Sequence, residues 1–95
     1  MNKTSARRLA MRHLVDYWRA RPEAADTLEG ILSWWIPTAT VTAQAVRDAL
    51  ERLIAEGTVE TAVAADGRVR FRLTNPTPVA LSGLIARAQI EISDN

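Results

Sequence analysis

The sequence predicts an α+β domain: three helices, then a two-stranded hairpin, with a further segment behind it. Three observations carry this expectation. Apolar residues recur at three-and-four spacing in three separate stretches, the mark of helices with one buried face. Two later runs alternate apolar and polar residues and flank an Asp66-Gly67 turn signal. Proline or glycine stands at the joints, at Pro22, Pro37, Gly57 and Gly67.

The first helix is expected to start at Thr4 or Ser5, whose hydroxyls suit an N-cap. Met11, Leu14, Val15 and Trp18 share its inward side, and Arg7, Arg8, Arg12 and Arg19 lie largely away from it. Pro22 ends it, because a residue before proline is pushed out of the α region. After "RPEAAD", Asp26 and Glu29 read as a capping box with an acid in place of Ser or Thr. The second helix then runs from Thr27 to about Trp35, with Leu28, Ile31, Leu32 and Trp35 inward. Trp34 is about 100° round the axis from Trp35, so the two rings take different surroundings. Gly30 weakens this helix by about 1 kcal/mol relative to alanine; close approach by another helix would explain it.

The third helix has Thr42 as its expected cap and Val46, Ala49, Leu50, Leu53 and Ile54 as its apolar stripe. Gly57 closes it as a left-handed cap. In the hairpin, a two-residue turn would pair Val63 with Arg70 and mix the faces. A three-residue loop, Ala65-Asp66-Gly67, pairs Val63 with Val69, Thr61 with Phe71 and Val59 with Leu73. The burial pattern selects this second register, because a one-residue slip swaps faces. Glu60 then faces Arg72, Ala62 faces Arg70 and Ala64 faces Arg68. Past "NPTP", Leu81, Leu84, Ile85, Ala88 and Ile92 follow helical spacing, so residues 79–92 read as a fourth helix. Gly83 weakens that reading, and the "IEIS" end reads equally as extended.

Length and composition bound the rest. The 95 residues suit one domain, with a core over 5–74. Apolar residues at 47% and charged residues at 24% give an ordinary globular balance. The absence of cysteine excludes a disulfide framework, a thiolate nucleophile and a cysteine zinc site, and suits a reducing cytoplasm. No stretch approaches the ~20 apolar residues that span a bilayer, so no membrane role is expected. The N-terminus lacks an uninterrupted apolar run of the secretory kind, and no period recurs along the chain.

Three helices followed by a hairpin is the element order of the winged helix-turn-helix superfamily. The stretch "VTAQAVRDALERLIAEGTVE", residues 41–60, resembles the recognition helix and first wing strand of its bacterial members, including the "EG" stop at Glu56-Gly57. The resemblance covers residues 5–74. One departure is the link "IPTATV", longer than the ~3–4 residues of a tight helix-turn-helix.

The resemblance implies a DNA-binding transcriptional regulator whose third helix enters the major groove by its N-terminal residues. Gln44 would meet adenine and Arg47 guanine. Arg68 and Arg70 on the wing, read as unpaired, and the basic end Lys3, Arg7 and Arg8 would meet phosphate. Charge by segment tells against this. Residues 1–21 carry six bases and one acid, net +5; residues 22–60 carry two bases and seven acids, net −5; residues 61–95 carry four bases and three acids, net +1, matching the overall +1. Non-specific DNA affinity comes mainly from Lys and Arg displacing counterions, and the acidic middle forfeits that unless the basic first helix and the wing supply it, so DNA binding stays the favoured expectation. "RVRFR" also reads as the wetted face of a hairpin, where charge deters edge association.

The alternative is a protein-interaction adaptor without DNA binding. An exposed Trp34 would anchor it, although Trp34 is expected beneath the C-terminal segment. Leu81, Leu84 and Ile85 would supply a second apolar surface or a homodimer contact, and a dimer would present two reading helices. No enzyme, metal or cofactor is expected. His13, the only histidine, has no ligand set; Asp16 can reach it as a local pair, without nucleophile or oxyanion site. The glycines form no phosphate-cradling loop, and Asp48 and Glu51 read as solvated surface.

Overall fold

The computed structural model describes residues 3–36 and 41–77, with residues 79, 82, 83 and 86 beyond them; for residues 3–5 it describes the backbone alone. Among these, the order is α1 (Lys3–Ala20), β1 (Ala25–Asp26), α2 (Leu28–Gly30, continuing as a π-helical turn over Ile31–Trp35), α3 (Ala43–Ala55), β2 (Val59–Val63) and β3 (Val69–Leu73). The sheet is antiparallel with strand order β1-β3-β2. The described residues up to Leu73 thus form an α+β fold of three helices and a three-stranded sheet.

α1 buries Ala10, Met11, Leu14, Val15 and Trp18, as its spacing predicts. It starts earlier than expected: Lys3 is already helical, so Thr4 and Ser5 lie inside it rather than at its cap. "RPEAAD" is more than a connection. Ala25 and Asp26 pair with Arg72 and Phe71, adding an edge strand to the hairpin.

The cap of α2 lies one residue beyond the expected capping box. Thr27 is extended, and its hydroxyl accepts from the Gly30 N–H at 3.1 Å. Asp26 instead braces the turn, its carboxylate accepting from the Thr27 N–H at 2.8 Å. This explains Gly30 better than helix approach does. A β-carbon there would collide with the Asp26 carboxylate. Gly30→Ala is therefore expected to destabilise, although alanine favours helix interiors by about 1 kcal/mol. In an Asp26→Ala background the same change should stabilise, and urea unfolding of the two pairs reads the sign.

α3 is capped by Thr42, whose hydroxyl accepts from the Ala45 N–H at 3.1 Å. Val46, Ala49, Leu50 and Leu53 are buried as expected, with Ala45 beside them. Ile54 is the exception, at 37% exposure. The buried arc extends round to Ala45, and Ile54 lies about 40° past Leu50 on the opposite rim. At the far end Gly57 adopts φ +78°. The Thr58 N–H reaches the Leu53 carbonyl and the Gly57 N–H reaches that of Ile54, both at 2.9 Å, which satisfies two terminal carbonyls together.

The hairpin has the expected register in every pair, from Val59 with Leu73 to Val63 with Val69. What sets it differs from expectation. Val59 and Leu73 are buried and Phe71 is half-buried, but Val63 is 70% exposed and Val69 is exposed too. Burial fixes only the base of the ribbon. The tip is fixed by the turn, in which the Gly67 N–H donates to the Ala64 carbonyl at 2.9 Å with Gly67 at φ +79°.

The core joins one face of α1 and α3 to Ile31, Trp35 and Ile36 of the α2 region and to the sheet base. Its centre is aromatic. Trp35 stacks on Tyr17 at 4.2 Å and meets Trp18 edge-on at 5.0 Å. The Trp18 indole N–H donates to the Ala24 carbonyl at 3.0 Å, so the ring's polar edge is satisfied where it is buried. Beyond the hairpin, Val79, Ser82, Gly83 and Ala86 have helical backbone. Leu81, Leu84, Ile85, Ala88 and Ile92, and residues 37–40 of the "IPTATV" link, lie outside the described residues.

Candidate functional site

The wing was expected to offer two unpaired arginines. It offers one. The turn that reverses the chain also places the Asp66 carboxylate against the strand that follows. Asp66 Oδ1 accepts from the Arg68 N–H at 3.0 Å, and the Arg70 guanidinium grips both carboxylate oxygens at 3.2 and 3.1 Å. Arg72 pairs with Glu60 at 2.7 Å, as the register requires. Only the Arg68 guanidinium, exposed, has no carboxylate among the described residues. The Asp66 pairing was legible in principle, since an acid in the turn stands four positions before Arg70.

This clamp has a pH signature. The Arg70 hydrogen bond, helped by the Arg68 N–H, holds the Asp66 carboxyl below its ordinary value, and Asp66 holds the Arg70 guanidinium above its own. A depressed carboxyl stabilises the fold above its unfolded value and loses that contribution as pH falls through the folded one. The hairpin tip is therefore expected to hold its geometry at neutral pH and loosen only in acid. In Arg70→Gln, the Asp66 carboxyl should titrate at higher pH than in the wild type, read by NMR of the side-chain carbon. An unmoved titration would show that the pair does not form in solution.

The leading turns of α3 expose Gln44 and Arg47 as expected, but these side chains are engaged with one another. Gln44 donates to Asp48 Oδ1 at 2.8 Å, and Arg47 donates to Gln44 Oε1 at 3.4 Å. Further along, Glu51 is exposed and Arg52 pairs with Glu56 at 2.8 Å. The surface that would enter a groove is a closed local network bordered by acid.

The basic end of α1 is also less free than expected. Arg7 follows the spacing of Met11 and Leu14, which brings it onto the inward side rather than away from it. Arg7 and Arg8 are both half-buried, with their Nε atoms shielded from solvent. Partial burial of both side chains departs from the expected free basic end. Lys3 is described by its backbone alone. His13 Nε2 is shielded and has no hydrogen-bond partner, and among the described residues no pair forms between His13 and Asp16.

Trp34 reverses its expectation. It is 79% exposed, while Trp35, the next residue, is 7% exposed at the core. Trp34 shares the solvent side of α2 with Glu29 and Ser33. Ile54, Val63, Val69 and Val79 are further exposed apolar side chains. Leu81, Leu84 and Ile85, the other expected interaction residues, lie outside the described ones.

Among the described residues, no three His, Cys, Asp or Glu side chains converge as metal ligands, and no helix is long and apolar enough to cross a membrane. No family model, curated protein or solved structure matches the chain.

Proposed function

We propose that this chain is a winged-helix domain that acts as a non-catalytic docking module for another protein, in the cytoplasm that its cysteine-free sequence suits. Three helices followed by a hairpin turning at Gly67 support the winged-helix part. The observation that carries the docking part is Trp34, a large indole at 79% exposure on the solvent side of a short helix. Tryptophan is among the residues most often found at the energetic centre of protein interfaces. The neutralised wing supports the same choice, since Arg70 and Arg72 already hold carboxylates.

The second reading is a DNA-binding transcriptional regulator, dimerising through residues 79–92. It is favoured by the exposed, unpaired Arg68 guanidinium and by the exposed Gln44 and Arg47 on α3. Titration of the full chain with mixed-sequence duplex DNA at ~50 mM salt separates the two. The docking reading expects no saturable binding. Binding that weakens steeply with salt and disappears in Arg68→Glu would establish the DNA reading instead.

A further inference from the structure

Resting on the docking reading, we infer that α2 receives a cationic segment of its partner, an arginine or lysine set beside an apolar side chain. The solvent side of α2 consists of Glu29, Ser33 and Trp34, and Glu23 is exposed just ahead of β1. The state of the acids singles this stretch out. Seven carboxylates fall within residues 22–60. Asp26 accepts from the Thr27 N–H and Asp48 from Gln44, while Glu56 pairs with Arg52 and Glu60 with Arg72. Among the described residues, the carboxylates of Glu23, Glu29 and Glu51 have neither a hydrogen bond nor an ion pair. Two of these three stand in the same stretch as the exposed indole. Arg21, the base adjoining this stretch in sequence, is already seated over the Tyr17 ring at 5.7 Å.

An indole face attracts a cation more strongly than any other side-chain ring. Unpaired carboxylates in the same stretch add to that attraction and repel an anionic ligand. The apolar body of Trp34 is left to be covered by an apolar neighbour of the cation. A phosphate-rich ligand has no corresponding argument on this side.

The test uses two short synthetic peptides, leucine alternating with arginine or with glutamate, titrated against the isotope-labelled full chain at ~50 mM salt. The arginine peptide is expected to shift the amides of residues 28–35 and the Trp34 indole signal, and the glutamate peptide to leave them in place. Trp34→Ala, and Glu23→Gln combined with Glu29→Gln, should each weaken the arginine peptide about tenfold. Glu51→Gln on α3 should leave its affinity unchanged. These side chains are exposed, so an unaltered melting temperature checks that each variant is folded.

Equal binding of both peptides overturns the inference, as does an arginine peptide that answers to Glu51→Gln instead. So does sedimentation showing that the chain covers Trp34 with a second copy of itself. Failure here is distinct from failure of docking. If a photo-crosslinker at position 34 captures a protein but the peptides bind alike, docking stands and the cationic requirement falls. If position 34 captures nothing, docking itself falls.

Discussion

Trp35→Ala is expected to destabilise the fold by about 3–5 kcal/mol, the range for removing a large aromatic from a core. The total stability of a small domain is about 5–15 kcal/mol, so the variant should be partly unfolded near physiological temperature. The cause is specific. Trp35 is the ring against which Tyr17 stacks and which Trp18 meets at a near right angle, so it ties the C-terminal end of α1 to α2. Removing it leaves both partners facing a cavity. Trp35→Phe should recover part of the loss, because a smaller ring can still stack on Tyr17. Urea denaturation measures both; a loss below about 1 kcal/mol for the alanine variant would mean that the aromatic cluster does not hold the helices together.

The sequence reveals most of the frame because helix period, caps and turn chemistry are local. Met11, Leu14, Val15 and Trp18 repeat with the helix, Thr42 caps where a threonine should, and Gly57 and Gly67 stand where the backbone turns left-handed. The hairpin register is also legible, although the turn enforces it at the tip and burial only at the base. β1 is not legible: two residues, Ala25 and Asp26, carry no periodic signal, and only pairing with β3 makes them a strand. Nor is the shift of the α2 cap to Thr27, since the choice between adjacent polar residues depends on where the chain leaves β1.

The candidate site was legible as a set of residues and much less as a set of free groups. Periodicity exposes Gln44, Arg47, Arg68 and Arg70, and all four are on the surface or half-buried. Whether such a group is available depends on its neighbours. Arg70 is taken by Asp66 from across the turn, and Gln44 by Asp48 one helical turn away. Trp34 shows the converse. The angle between Trp34 and Trp35 was readable, but which ring faces water depends on how α2 is set against α1, and that is a tertiary fact.

Trp34→Ala is the second large effect, and it should be the reverse of its neighbour's. Stability should change by no more than about 0.5 kcal/mol, as for surface positions generally, because the ring is 79% exposed. Partner affinity should fall by about 2 kcal/mol or more, the scale of an interface hot spot. Adjacent tryptophans would thus divide fold and function between them. The most direct measurement is site-specific photo-crosslinking in the native host, with the crosslinker placed at position 34 and, in parallel, at positions 47 and 68. One discrete protein adduct from position 34, and no nucleic-acid adduct from the other two, is the expected result. DNA adducts from 47 and 68 with none from 34 would contradict it.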